Sequence, residues 1–256
     1  MLQIFENVPE LVIGRQSQYA YRAVIAPHMH NRAQLLYPSE GAIRVHTQKH
    51  VWIVSAQSAL WIPAGIEHSV VALSQVQLST ALVETEVTSS LGTECLFIQM
   101  TGLLSALILR INQVERAHPN QGANTLELIK AIQTLILNEI HQAAALPLEL
   151  PWPNDARLIS ICESLLANPQ QTKNLDAWAD QIGTSARTLM RLFQKQTGLT
   201  YRAWIQQMHI ALAMEKLAQG ESVARVADAL GYHSPSAFSA MFKRHLGQAP
   251  QQFMKK

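Results

Sequence analysis

The feature that most constrains this chain is a pattern it uses twice. Ala179-Asp-Gln-Ile-Gly183 leads to Phe193 and then Gly198, and Ala227-Asp-Ala-Leu-Gly231 leads to Phe242 and then Gly247. The first glycines stand 48 positions apart and the phenylalanines 49, so the second copy holds one extra residue in its turn. A helix-turn-helix crosses two helices steeply over a short turn, and a small side chain such as Ala179 or Ala227 lets them approach. Gly183 and Gly231 can take the left-handed backbone conformation that ends the first helix. Ser185, and Ser234 or Ser236, offer an acceptor oxygen to the free amides that open the second helix. Leu189, Leu192 and Phe193, like Phe238, Met241 and Phe242, recur at helical spacing and give that helix an apolar stripe. One such unit arises easily by chance. Two in register predict a pair of bihelical modules.

The connector agrees. Tyr201–Leu217 places Trp204, Ile205, Met208, Ala211, Leu212 and Leu217 at helical steps. A helix of that length spans roughly 25 Å, which suits two recognition helices entering major grooves that repeat every ~34 Å along a duplex. Charge points the same way. Through Leu150 there are eight Lys and Arg against eleven Asp and Glu, and beyond it twelve against seven. A basic C-terminal half suits a polyanionic partner, although ordinary surface variation explains an excess of this size equally well.

The N-terminal half has a different rhythm. Over residues 20–100 short Val- and Ile-rich runs, such as Ala42–His46 and Val51–Val54, alternate with turn signals at Pro38-Ser-Glu-Gly41 and Pro63-Ala-Gly65. Helical spacing begins at Leu103–Val114 and returns in Thr125–Ala143, where Leu128, Ile129, Ile132, Leu135, Ile136 and Ile140 recur. Leu-Pro-Leu-Glu-Leu-Pro-Trp-Pro at 146–153 cannot continue a helix. Asn154 or Asp155 can cap the next one. The expected domains are therefore residues 1–145, a linker at 146–154, and residues 155–256. Cys95 and Cys162 form neither a metal-binding pair nor a disulfide framework. The start lacks the pattern of a signal peptide, and no apolar run reaches the ~18 residues of a membrane span, so a cytoplasmic protein without membrane contact is expected.

The stretch Arg157–Phe253 closely resembles the DNA-binding domain of the AraC/XylS family of bacterial regulators. Its tail, Ala-Leu-Gly-Tyr-His-Ser-Pro-Ser-Ala-Phe-Ser-Ala-Met-Phe-Lys-Arg-His-Leu-Gly-Gln-Ala-Pro (229–250), looks like that family's signature. The resemblance implies a regulator of transcription acting on a double-stranded operator, with RNA polymerase as a partner, and not an enzyme. The first recognition helix would present Ser185, Ala186, Arg187, Met190, Arg191 and Gln194. Arg187 matches a base-reading position of the family, and arginine can bond guanine O6 and N7 together. A phosphate contact is the alternative for either arginine. The second helix would present His233, Ser234, Ser236, Ser239, Ala240 and Lys243. Ala240 stands where relatives can carry a long polar reader, so this helix is expected to dock mainly through phosphates, with Lys243 and Arg244 supplying charge. Lys195 and Arg202 could do the same at the first unit, or all four could be plain solvated charges.

His28-Met-His30, Gln34, Gly41 and Pro63-Ala-Gly-Ile-Glu-His68 resemble the two motifs of cupins, small β-barrels with inward-facing histidines and a carboxylate. The fold expected is thus α+β in two domains: an N-terminal cupin-like β-barrel with a helical hairpin, and an all-α C-terminal domain with two helix-turn-helix units. Within the family such a barrel binds an effector and dimerises, so a homodimer is expected. His28 and His30 should alternate on a strand and point to one side. Gln34 replaces the carboxylate, which argues against iron oxygenase chemistry. Three neutral imidazoles, His28, His30 and His68, could still hold a divalent metal such as zinc or nickel. Otherwise His28, His30, Gln34 and His68 line a polar effector pocket or satisfy core hydrogen bonds. His46, His50 and His118 have no comparable setting, and Trp52, Trp61 and Ile62 are expected to fill the barrel wall. The competing functions are a constitutive DNA-binding protein with an inert barrel, a cupin enzyme fused to a DNA-binding domain, and a DNA-alkylation repair protein. The last needs an activated acceptor cysteine, which isolated Cys95 and Cys162 do not offer.

Overall fold

The computed structural model describes residues 11–88, 91–117, 123–146, 148–170 and 174–254; His118 lies outside them. The chain divides into two compact units, Met1–Thr47 with Val54–Pro147, and Gln48–Ile53 with Leu148–Lys256.

Strands come first: β1 (Val12–Tyr19), β2 (Val24–His28), β3 (Ala33–Glu40), β4 (Ala42–His46), β5 (His50–Ser55), β6 (Ser58–Ile62), β7 (His68–Ala72), β8 (Val76–Val83) and β9 (Leu96–Gln99), all in the first unit except β5, most of which belongs to the second. One antiparallel sheet runs β1-β8-β3-β6-β9, and β4, β7 and β2 are neighbours in a second. The cupin-like barrel of the sequence reading is therefore two antiparallel sheets. Strand β3 is buried on both faces over its first six residues, Ala33–Pro38, as a central strand covered from two sides must be. Helices α1 (Gly102–Ala117) and α2 (Ala123–Gln142) follow. Leu104, Ile108 and Ile111 of α1 and Ile129, Ile132 and Ile136 of α2 pack with Leu35, Trp61 and Ala81 of the first sheet in one core. Gln133 anchors this layer by donating to the Val12 carbonyl at 2.8 Å. Trp52, Trp61 and Ile62 are all buried, as expected of wall residues.

In the second unit the proline-rich stretch is extended. Leu150–Pro151 form a short strand, β10, antiparallel to His50–Val51. Pro151 cannot donate, but its carbonyl accepts from Trp204 Nε1 at 2.8 Å. Seven helices follow: α3 (Ala156–Ala167), α4 (Leu175–Gln181), α5 (Ala186–Thr197), α6 (Tyr201–Ala218), α7 (Val223–Ala229), α8 (Pro235–Leu246) and α9 (Pro250–Met254). Of the two capping candidates, Asp155 is the one that caps α3, its carboxylate accepting from Arg157 N. Helix α6 is buried at Trp204, Met208, Ile210, Ala213 and Leu217, so it serves as the spine on which the neighbouring helices pack.

Candidate functional site

The duplicated pattern folds twice in the same way. In α4–α5, Gly183 has φ 68°, and the turn closes with Thr184 N donating to the Ala179 carbonyl at 2.9 Å. In α7–α8, Gly231 has φ 74°, and Tyr232 N donates to the Ala227 carbonyl at 2.9 Å. Ser185 Oγ caps α5 by accepting from Thr188 N, and Ser234 Oγ caps α8 by accepting from Ala237 N, both at 3.2 Å. Ser234 rather than Ser236 is thus the cap, and Ser236 is exposed in the first turn of α8. Gly198 and Gly247 end α5 and α8 in the left-handed conformation. The inner faces are as expected: Leu189, Phe193, Phe238, Met241 and Phe242 are buried.

The outer faces differ. On α5, Arg187, Met190, Arg191, Gln194 and Lys195 are exposed and Ala186 is half-buried. Met190 is 51% exposed, the one large hydrophobic residue left so open among the described residues of the second unit. A methionine held in water between two arginines is poorly explained by folding. It fits a surface that meets thymine methyls and guanine edges in a major groove. Gln194 is partly committed, because its Nε2 donates to the Gly198 carbonyl at 2.8 Å. On α8, His233, Ser236, Ala240, Lys243 and Arg244 are exposed, and Ser234 and Ser239 are half-buried. Arg202, at the start of α6, is exposed too. Among the described residues the salt bridges are Arg32–Glu84, Arg157–Asp155 and Lys216–Glu221. Arg187, Arg191, Lys195, Arg202, Lys243 and Arg244 therefore hold their charge without an internal counter-ion.

The histidines of the first unit converge. His28 and His68 face each other at the paired ends of β2 and β7. His30 lies just past the end of β2 rather than within it, and its carbonyl accepts from Gly65 N at 2.8 Å. That bond clips the Pro63-Ala-Gly65 turn against the His28–His30 segment and so brings His68 to both. Ring centroids lie 4.9 Å apart for His28–His30, 4.3 Å for His28–His68 and 5.6 Å for His30–His68. His28 Nδ1 lies 2.8 Å from the Ala26 carbonyl and His68 Nδ1 3.0 Å from that of Ile66. Each Nδ1 must donate there, which leaves each Nε2 as a bare lone pair. Burial holds His68 down to about 4, and it lowers His30 too, helped by His28 and Arg15. His30 and His68 are thus set as neutral imidazoles at neutral pH.

One ring nitrogen from each histidine falls within 4.8 Å of the others. Zinc with nitrogen ligands at ~2.0–2.1 Å needs them roughly an ångström or so closer. The donor set fits a metal: three imidazoles, two of them with Nδ1 already oriented by a backbone carbonyl, and a buried His68 Nε2 with no hydrogen-bond partner. Gln34 is also buried, and its Oε1 likewise lacks a partner. These four residues line one cavity of about 50 Å³, together with Arg15, Ser17, Tyr19 and Thr80 and an apolar belt that includes Ile25, Leu36 and Leu82. The sequence reading missed Arg15, Ser17 and Tyr19, which share one face of β1 because residues two apart on a strand do so. His46 is half-buried and does not line this cavity; desolvation and Arg44 push it down to about 4.

Two family models match. An AraC-like ligand binding domain covers residues 10–87 and a helix-turn-helix domain residues 178–256. The chain is 31% identical over 230 residues to the HTH-type transcriptional regulator NimR of Escherichia coli, a match over 89% of this chain and 81% of NimR. It is 35% identical over 104 residues to the regulator RipA of Corynebacterium glutamicum, over 41% of this chain and 31% of RipA. Among solved structures, ToxT of Vibrio cholerae aligns over 96% of this chain and 97% of that one, at 14% identity and a TM-score of 0.40. A relative 31% identical and matched over 81% of its length, with one family model on each half of the chain, places this chain in the AraC/XylS family of DNA-binding transcriptional regulators.

Proposed function

We propose that this chain holds an operator in double-stranded DNA through α5 and α8, and that a small-molecule or metal effector in the His28–His30–Gln34–His68 pocket changes that hold. The observation that carries the reading is the exposed Arg187–Met190–Arg191 face on a capped recognition helix. Arg187 reads a guanine edge there and Met190 adds apolar contact. Arg191, Gln194 and Lys195, with Ser185 and Ala186 at the helix start, settle the backbone around them. On α8, His233, Ser234, Ser236 and Ser239 approach the second groove while Lys243 and Arg244, with Arg202 of α6, meet phosphates. His28, His30 and His68 would hold a divalent metal such as zinc or nickel, which when bound supplies a coordination position for a donor atom of the effector.

An effector can shift the protein only by binding two arrangements of it unequally. Leu128 and Leu135 of α2 are more than 40% exposed, as are Leu103 and Leu126. Leu128 and Leu135 lie seven apart on one helical face, and this face supports pairing of two copies as a homodimer. RNA polymerase, reached from the operator, is the partner through which transcription changes. A cupin-type enzyme is disfavoured because no carboxylate lines the pocket.

The test is selection of an operator from random duplexes by the full chain, followed by affinity measurements across salt. Tight binding to the selected site that weakens steeply with salt is expected. No salt-sensitive affinity for any duplex would sink the reading. The double variant His28→Ala, His68→Ala should keep operator affinity and lose the response to effector.

A further inference from the structure

The lining of the histidine pocket selects the chemical class of its occupant, and to call that occupant an effector rests on the function proposed above. Arg15 lies on β1 opposite Thr80 of β8, on the same strand face as Ser17 and Tyr19, and all four line the cavity. No Asp or Glu lines it, and no salt bridge among the described residues includes Arg15. The guanidinium is half-buried, so its charge is only partly screened by water. An uncompensated guanidinium in a cavity selects for an anion and against a cation. Its planar fork matches a carboxylate in particular, with two parallel hydrogen bonds.

The same cavity has a second, opposite need. Gln34 Oε1 and His68 Nε2 are buried acceptors with no donor facing them. Two unmet acceptors lining one cavity require a donor or a metal ion. Ile25, Leu36, Val70, Leu78 and Leu82 line the same cavity. Those apolar side chains favour an organic body over an inorganic oxyanion, and a cavity of about 50 Å³ keeps that body small. From these three features together, we propose that the effector is a small hydroxy- or amino-carboxylate, its acid group on Arg15 and its donor end on Gln34 and His68. With a metal on the histidines, the same donor atom becomes a ligand, and the added positive charge strengthens the requirement for an anion.

Two sets of probes test this by calorimetry on the full chain, once stripped with chelator and once loaded with zinc. The first is 3-hydroxybutyrate, butyrate and 3-hydroxybutyramide. The second is 4-hydroxybenzoate, benzoate and 4-hydroxybenzamide. In at least one set the hydroxy acid should bind at least about tenfold more tightly than either companion. Arg15→Gln should weaken that acid by about tenfold or more, and Arg15→Lys should restore part of the loss. The acid-against-amide comparison uses the unaltered protein, so it stands whether or not the variants fold. Amides bound as well as acids, an unchanged affinity in Arg15→Gln, or preference for inorganic phosphate or sulfate over every acid would each overturn the proposal. So would binding of none of the probes in either metal state by protein that still holds its operator, an outcome that leaves the regulator reading intact. Protein that holds no duplex at all, yet binds the acid through Arg15, would support this inference and remove the DNA reading instead.

Discussion

The two helix-turn-helix units share a scaffold and differ in what they turn outward. Both have a buried alanine, a left-handed glycine in the turn, a serine cap and a left-handed glycine at the far end. On that common frame α5 carries Arg187, Met190 and Arg191, whereas α8 carries Ser236, Ala240 and Lys243. Short side chains at the middle of α8 cannot reach a base edge as a guanidinium can. The scaffold is constrained by folding and the outer face by the partner, so a duplicated fold can divide reading from anchoring.

The turn glycines differ too in what surrounds them, and this gives the largest expected effect. A Cβ built on Gly183 meets nothing within 4 Å, whereas one on Gly231 comes within 3.0 Å of the Gln170 carbonyl oxygen. Both positions have positive φ and so strain any other residue. Gly183→Ala should cost about 1 kcal/mol, and Gly231→Ala about 2–3 kcal/mol, because the backbone at Gln170 must also yield. Chemical denaturation of the two variants measures this. Equal losses would show that the 169–170 turn gives way freely.

The next effect concerns DNA. Arg187→Ala should lose ~1–3 kcal/mol on the selected operator and relax preference at one base pair. Lys243→Ala should weaken specific and random duplexes alike and lower the salt slope by about 1. Equal loss on both duplexes for Arg187→Ala would break the division between a reading and an anchoring unit. At the caps the units should behave alike: Ser185→Ala and Ser234→Ala should each cost ~1 kcal/mol, while Ser236→Ala should leave stability unchanged.

Much of the fold is legible in the sequence, for a physical reason. Gly183, Gly231, Ser185 and the buried phenylalanines are local requirements of turns, caps and faces, so they are written in adjacent residues. The histidine cluster is half legible. His28 and His30 are neighbours in sequence, but their approach to His68 depends on β2–β7 pairing and on the Gly65–His30 bond. Arg15 is not legible, because a lone arginine on an alternating strand gives no sign of which face is the inner one. The same holds for the pairing of Leu150–Pro151 with His50–Val51, about a hundred residues apart. The choice between Ser234 and Ser236 turns on the one extra residue in the second turn, whose presence sequence reveals but whose position it does not.

The smallest effect separates the two units by pH. The first is tied by Trp178 Nε1 donating to Tyr201 Oη at 2.8 Å, and burial pushes Tyr201 up to about 12, so nothing in that link titrates in acid. The second is tied by His209, whose Nε2 lies 3.3 Å from the Pro169 carbonyl and Nδ1 3.2 Å from Tyr232 Oη. The neutral ring serves both: Nε2 donates to the carbonyl and Nδ1 accepts from the hydroxyl. Burial lowers the pKa of His209 below its ordinary 6.5, outweighing the opposing effect of the Pro169 carbonyl. A group depressed on folding contributes fully above the unfolded value, and its contribution fades as pH falls from 6.5 toward the folded one, where only the unfolded chain takes up the proton. His46 and His68 produce the same trend in the first unit, so global unfolding would mix the sources. The measurement is therefore local: hydrogen exchange of α8 amides against α5 amides, corrected for intrinsic rates, between pH 7.5 and pH 5.5 (roughly one unit either side of the unperturbed histidine). Protection in α8 should fall more than in α5, and His209→Gln, which keeps a donor and an acceptor but does not titrate, should remove the difference. A parallel fall in both helices would show that the units open together and that His209 does not set the stability of the second alone.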